Sequence, residues 1–592
     1  MKNNLVTDFL HSNQNNNLPK KYLELPAFDK QFNFKKNIIF YKKWNNYENK
    51  LSDMKRNLKL YDYFLEELII FLNNYHNKEY SKRYWSIILG KWLNRFISGI
   101  SFKWNLINSL KKKNYVFLKK EINIKDIIPL GIEDYTKMTN SNYWNHYSYT
   151  KIIEHSFSNK FTIKKTGKVI KNNERETIYK KLQNKNIKDK ISLFIQTILN
   201  FLPQNKSTLI FSTYMSNLQE IKLNLLVNKS LLYYKMLRPY LLFEKKELFN
   251  FERRNFKKLK SSKTGLENFL SKEILACIPS AYLENFKNIE NIVDRIPFPK
   301  SPKKIFTTLG ITRSTLLDRY IARNVEDGSS LILAQHGGAY FQNKFHFSTI
   351  YEVNISDKYL SWGKIKKKKI VPIGIIKNLS NTSKRSNKII LEVRMRKEGY
   401  IGEIKPDSGY LEGKKYLHDL CTFFSLLKRK KISENLFIKL HEVKSFWNEK
   451  KKFLSHNSKL QFLDEKKSMI KEINSARLII QTSCGTGHLE SLAINKPTLI
   501  LFVHNLNSFN YKSKNYFKKF IKLGILHRTP ESLMKMLENL DDDKSINKWW
   551  NSKKIQNLLK KYREDFGFFN KEKIKKLKKI ISLTHTNYKI KI

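Results

Sequence analysis

Beyond residue 200 the chain repeats one pattern: a short β-branched apolar run, a break of small or polar residues, then apolar positions at helical spacing. Thr208–Tyr214, Lys304–Leu309 and Leu331–Ala334 are such runs, with helical stretches at Asn217–Val227 and Leu316–Asn324. Ile389–Val393, Leu436–Leu440, Leu460–Leu463, Arg477–Thr482 and Thr498–Phe502 continue the pattern, with helices at Tyr416–Leu427 and Lys466–Ala476. Strands alternating with helices predict parallel sheets covered on both faces. In Tyr416–Leu427 the inward face carries Leu417, Leu420, Cys421 and Phe424.

Ahead of this block the pattern changes. Residues 1–200 read as mainly helical after one strand at Asn37–Tyr41, with helices over Tyr61–Leu72 and Tyr84–Phe102. Lys160–Lys190 is basic and weakly patterned and reads as a surface excursion, and Pro297–Pro302 reads as a loop. Near the end, Lys514–Leu523, Pro530–Leu540 and Asn547–Phe566 read as helices, with Pro530 suited to a first helical turn. The expectation is an α/β protein of two Rossmann-like domains. A helical N-terminal elaboration with part of the first domain takes 1–200, the first domain 201–380, the second 381–545, and C-terminal helices 546–592.

Composition limits the class. With 592 residues, 41% hydrophobic and 13% aromatic, the chain suits two or three folded domains. No apolar run reaches the ~18–20 residues that span a bilayer, and the N-terminus lacks an apolar signal core. Cys277, Cys421 and Cys484 lie too far apart for a disulfide framework or a zinc spacing. A cytoplasmic chain with reduced thiols is expected. The net charge of +61 invites a nucleic-acid reading. The lysines, however, are scattered among Asn, Ile, Phe and Tyr, all residues with A/T-rich codons, so compositional drift accounts for them. No named nucleic-acid motif accompanies them, and no specific nucleic-acid partner is expected. Such a surface would still attract phosphorylated ligands and anionic lipid headgroups.

Two places carry candidate chemistry. In Arg477–Phe502, a buried strand meets Ser483, Gly485, Thr486 and Gly487 where it gives way to a helix. Small residues let a ligand approach the backbone, and the N–H groups of a helix start attract anions. Thr486 can cap that start, and Glu490, one turn on, could accept hydrogen bonds from a ribose. These residues outline a pocket for a nucleotide-activated donor, although strand–glycine–helix turns also occur for purely structural reasons. The spacing is neither a dinucleotide fingerprint nor a P-loop.

The second place is Gln335–His336–Gly337–Gly338, just past Leu331–Ala334. A histidine at a strand's carboxyl end is placed for general acid–base work, while a lone histidine more often bonds a turn backbone. As a base, His336 would take the proton of an acceptor hydroxyl; it could instead contact a donor phosphate. Arg83 has two readings, a ligand for an anionic acceptor or an anchor for aromatic packing. Trp85 and Trp92 read as core. Asp541–Asp543 joins two late helices and reads as a solvated turn, so no metal site and no cofactor is expected.

Several blocks together resemble the transferases of O-antigen and surface-carbohydrate gene regions. They are His76–Leu93, Tyr143–His146, Leu333–Tyr340, Ile355–Gly363, Gly485–Ile500 and Gly524–Leu533 with Trp549 and Trp550. The resemblance covers nearly the whole chain in order. It implies a GT-B-like arrangement, two Rossmann-type domains facing a cleft with a C-terminal helix crossing back, and a transferase of surface-glycan assembly. Where that family tends to have an acid before W-N-H, Tyr143 stands here, so His146 is not assigned a catalytic role. The leading expectation is a glycosyltransferase that moves a sugar from a nucleotide-sugar donor to a glycan or lipid-linked acceptor, cytoplasmic and peripheral to the inner membrane. The alternatives are a phosphotransferase using CDP-alcohols and a non-catalytic basic binder of nucleic acid or membrane surface.

Overall fold

A computed structural model of the protein describes residues 5–7, 21–23, 38–111, 115–123, 126–165, 208–229, 259–260, 265–311, 314–379, 386–393, 400–428, 430–441, 448–465 and 469–584. Three parallel sheets organise them. The first joins β1 (Leu5–Thr7), β2 (Lys21–Leu23), β3 (Ile38–Ile39), β4 (Tyr115–Lys119) and β5 (Phe161–Lys165) in the order β3-β2-β1-β4-β5. The second runs in simple succession through β6 (Thr208–Phe211), β7 (Lys304–Thr307), β8 (Ser330–Ala334), β9 (Lys358–Ser361) and β10 (Ile370–Pro372). The third contains β11 (Ile389–Val393), β12 (Leu436–Leu440), β13 (Gln461–Phe462), β14 (Leu478–Gln481), β15 (Thr498–Leu501) and β16 (Leu526–His527). Its order, β13-β12-β11-β14-β15-β16, is doubly wound and reverses between β11 and β14.

The second and third sheets are the two expected Rossmann-like lobes. Each central strand is buried along its length, as in β8 and β14, because helices cover both faces. The first sheet was not anticipated. Only β3 matches a strand read from the sequence; β1 and β2 are three residues each, and β1 pairs with β4 across more than a hundred residues. β5 also begins inside the stretch read as a surface excursion, whose residues 166–190 lie outside the described ones.

The expected N-terminal helices are present and longer, at Tyr47–His76 and Lys82–Asn108. Ser81 caps the second by accepting from the N–H of Tyr84 (3.2 Å). From Tyr84 to Ile107 this helix is buried on almost every side, so it forms the centre of the N-terminal half rather than a surface decoration. Trp85 and Trp92 are in the core as read. His146 is also wholly buried, its Nε2 accepting from the N–H of Lys120 (3.0 Å).

The C-terminal end returns to the second sheet. The stretch Asn547–Phe566 is two helices, Asp543–Trp550 and Lys553–Phe566, because the chain turns at Asn551 and Ser552. Asp542 caps the first of them through Ser545, consistent with a solvated turn. Lys553–Phe566 then crosses between lobes: the N–H of Lys364 donates to Glu564 O (2.8 Å), and that of Ile375 to Phe568 O (2.9 Å). A last helix, Lys573–Leu583, seats Leu577 and Ile581 against Ile210, Phe306 and Ile332 of the second sheet. This is the GT-B-like arrangement, with the N-terminal sheet added to it.

Candidate functional site

The carboxyl ends of β8 and β14 meet. The N–H of Gly338 donates to Thr486 Oγ1 (3.1 Å), and a Cβ on Gly338 would collide with the backbone of Gly485. The turn after β8 also docks on the loop after β15: Lys344 N–H donates to Ser508 O (2.8 Å), and Asn510 N–H to Gln342 O (2.8 Å). Behind this seam, Gln342 Nε2 donates to Gly338 O, Tyr562 Oη donates to Gln342 Oε1 (2.7 Å), and His488 Nε2 lies 2.7 Å from Tyr562 Oη. The crossing helix thus ties both turns into one hydrogen-bonded unit.

His336 lies on the first-lobe side of that seam with its side chain 26% exposed. Its Nε2 is 3.0 Å from Tyr340 Oη. Tyr340 donates to Glu352 Oε1 (2.7 Å), and Tyr359 donates to Oε2 (3.1 Å). Burial, with Glu352 next in weight, drives both phenols well above their ordinary range, so each keeps its proton and can donate. Glu352 is itself buried, and its Oε2 is 3.9 Å from His336 Nδ1. Because the Tyr340 proton points to the carboxylate, its oxygen can accept from the imidazole. A proton taken up by His336 would therefore be stabilised through Tyr340 and directly by Glu352. Sequence reading did not find Tyr340 or Glu352 as partners, although Tyr340 closes the L-A-Q-H-G-G-A-Y block.

The other sequence-predicted residues divide into two groups. Ser483 and Gly485 line a cavity beside the seam, and Gly337 sits 3.7 Å from Thr486 Oγ1 measured from an added Cβ. Of these, Gly337 adjoins His336 in the chain and faces Thr486 across the seam. Thr486 does not cap its helix: Gly485 holds the cap position of Thr486–Ala493 with no side-chain cap, and the Thr486 hydroxyl is engaged by Gly338 instead. Gly487 is buried, and a Cβ there would collide with Glu392 and Gln481, so its missing side chain serves packing.

Gln335 is buried and bridges two backbone groups, donating to Gly337 O (2.8 Å) and accepting from Trp362 N–H (2.9 Å). Glu490 is wholly buried and paired with Lys377 at 2.5 Å. Arg83 forks onto Asp357 (3.1 and 2.7 Å) and donates to Ile355 O (2.8 Å). Its guanidinium ties the buried helix to the second sheet through an ion pair, a role that neither of its two readings included.

The cavity has a volume of about 340 Å³. Besides Ser483 and Gly485, its lining includes Trp44 and Tyr47, which sequence reading did not single out. Among the described residues, no group of three or more His, Cys, Asp or Glu is placed to hold a metal ion. No described helix is long and apolar enough to cross a membrane.

No curated protein matches the chain. Solved structures with a similar fold include MnaA of S. aureus in its UDP co-structure, at 12% identity over 62% of this chain and 94% of that one, TM-score 0.34. The UDP-GlcNAc 2-epimerase of Neisseria meningitidis bound to UDP-GlcNAc shares 12% identity over 60% of this chain and 98% of that one, TM-score 0.32. MurG of Acinetobacter baumannii shares 12% over 50% and 76%, TM-score 0.29. The profile of the LIC12162 family transferase matches residues 8–581, nearly the entire chain, and the protein therefore belongs to that family of transferases.

Proposed function

We propose that the protein is a GT-B-type glycosyltransferase that moves a sugar from a nucleotide-activated donor to a surface-glycan or lipid-linked acceptor. The observation that carries this reading is the junction of His336–Gly337–Gly338 with Gly485–Thr486 across the two lobes. The donor's pyrophosphate would lie at the start of Thr486–Ala493, where helix N–H groups favour anions and stabilise the charge that builds on the departing phosphate. Ser483 and Gly485 form the near wall of that position.

The reaction would be a displacement at the anomeric carbon. The acceptor oxygen bonds to that carbon, the bond to the donor phosphate breaks, and the nucleoside diphosphate leaves with the electron pair. His336 takes the acceptor proton, and the Tyr340–Glu352 pair stabilises the resulting imidazolium. Lys575, Lys578 and Lys579 are exposed on the last helix, which suits peripheral contact with anionic headgroups near a lipid-linked acceptor.

Thermal-shift screening tests the donor class. UDP- or GDP-sugars should raise the melting temperature, by the mass-action stabilisation that any ligand of the folded state confers. A response to CDP-alcohols alone would replace the reading with phosphotransfer. His336→Ala should lower turnover by ~10²–10⁴ while leaving the melting temperature unchanged; full activity in that variant would remove His336 from the chemistry.

A further inference from the structure

Scattered surface leucines are ordinary, but a row of them set among lysines marks an interaction face. Among the described residues, the three most exposed leucines lie on two helices that pack side by side on the second sheet, Asn217–Asn228 and Lys573–Leu583. Leu218 is 80% exposed, Leu225 46% and Leu583 65%. Leu218, half-buried Ile221 and Leu225 are spaced so that they form one stripe along the first of these helices. Lys222 and Lys229, both exposed, alternate with them.

The inner sides of both helices are already occupied. Leu223, Leu577 and Ile581 join the core of the second sheet. Glu220, the acid of the first helix, is buried and accepts from the N–H of Thr213 (3.1 Å). The second helix exposes Lys575, Lys578 and Lys579, and Glu572 at its start is paired with Lys575 (3.4 Å). The outer face of the pair is thus leucine and lysine, and its exposed acid is neutralised. That face reaches the rim of the cleft. Asn217–Asn228 follows the carboxyl end of β6, and Gln219 Nε2 donates to Asn378 Oδ1 (3.1 Å). The adjoining Lys377 lies over the Tyr214 ring (4.7 Å) and pairs with Glu490 of the donor-side helix.

We propose that this two-helix face docks the protein on an anionic bilayer, with Leu218, Leu225 and Leu583 entering the headgroup–acyl boundary and the lysines holding headgroups. Lysine stems lie along apolar surface while their ammonium groups reach the phosphates, so the two residue types act together. A nucleic acid would engage the lysines and leave the leucines in water. The inference rests on the glycosyl-transfer reading and deepens it. A first-lobe rim held at the bilayer lets a lipid-linked acceptor enter the cleft without leaving the membrane.

Vesicle flotation with the full chain tests it. Vesicles of equal parts phosphatidylglycerol and phosphatidylcholine should carry the protein, and pure phosphatidylcholine should not. Leu218→Asp, at an exposed position, should keep the melting temperature and weaken partitioning about tenfold. Lys578→Ala should weaken it about fivefold. Leu426→Asp, an exposed leucine on the second lobe, should change nothing. The docking face is overturned if Leu218→Asp floats as the wild type does, or if Leu426→Asp loses as much. Binding that responds to the lysine alone, and that DNA matches, means a general polyanion surface and overturns it as well. Loss of flotation in Leu218→Asp, with stabilisation by UDP- or GDP-sugars intact, supports docking and transfer together. Flotation that depends on Leu218, in a protein that no nucleotide-sugar stabilises, keeps the face and removes the transfer reading.

Discussion

The turn after β8 and the turn after β14 each carry two glycines close together, and in each turn the two serve different ends. Gly338 presses on the backbone of Gly485 with no room for a side chain, whereas a Cβ on Gly337 would meet only ordinary contacts at 3.6 Å from Tyr340 and 3.7 Å from Thr486. Gly487 fits against Glu392 and Gln481 beneath its turn, whereas a Cβ on Gly485 would meet only Ser483 Oγ at 3.4 Å. One glycine of each pair closes the protein on itself and the other borders the cleft. A glycine at the end of a strand therefore does not by itself announce a ligand; what it faces decides.

Substitution should separate the two kinds. The largest effect is expected at Gly338→Ala, where backbone of the opposite lobe cannot move aside. A cost of ~3 kcal/mol, or separation of the lobes, should follow, read by denaturant unfolding and small-angle scattering. A variant that melts and scatters as the wild type does would mean that the seam is not closed in solution. Gly487→Ala should cost less, ~1–2 kcal/mol, because the obstructing atoms are ends of side chains that can shift.

Acid should strain both turns from behind. Burial, with Lys91 next in weight, pushes His346 behind the first turn down to about 4 from 6.5, and burial pushes His488 behind the second down to about 3 from 6.5. Their folded-state values are depressed, so between about pH 6.5 and these values the unfolded chain binds protons that the folded chain does not. Stability should be full above 6.5 and fall as the pH drops toward 4. His488→Gln should flatten that fall when melting temperature is followed against pH. An unchanged slope would exclude His488 as a source.

The division between the two kinds of glycine also marks how far the sequence could be read. Strands β11, β12, β14 and β15 were legible because each is a continuous apolar run, and burial on both faces demands such a run. The first sheet was hidden because β1, β2 and β3 are only two or three residues long, β5 is largely exposed and polar, and the pairing is fixed by partners distant in the chain. The same distance hid the fate of individual site residues. In sequence Glu490 stands one helical turn past the glycines, but Lys377, far away in the chain, pairs with it, as Asp357 does with Arg83. His336 was legible as a candidate, but its neighbours Tyr340 and Glu352 follow from the way Phe347–Ile355 packs beneath the turn. Trp44 and Tyr47 carried no signal that would set them apart from core aromatics.

The smallest expected change in stability is also the one that bears most on the cleft. Gly337→Ala adds a methyl group where contacts are ordinary, so the melting temperature should move by no more than ~0.5 kcal/mol of stability would produce. That methyl group would nonetheless sit against Tyr340 and Thr486, next to His336 in the chain, where the proposed transfer would bring an acceptor hydroxyl to the donor. A displacement of about 1 Å there can cost ~10²-fold in rate. Gly337→Ala should therefore separate folding from turnover: a protein as stable as the wild type, with nucleotide affinity intact, and transfer sharply reduced. If transfer in Gly337→Ala equals that of the wild type, the reacting groups do not meet at this seam, and both glycines after β8 belong to closure alone.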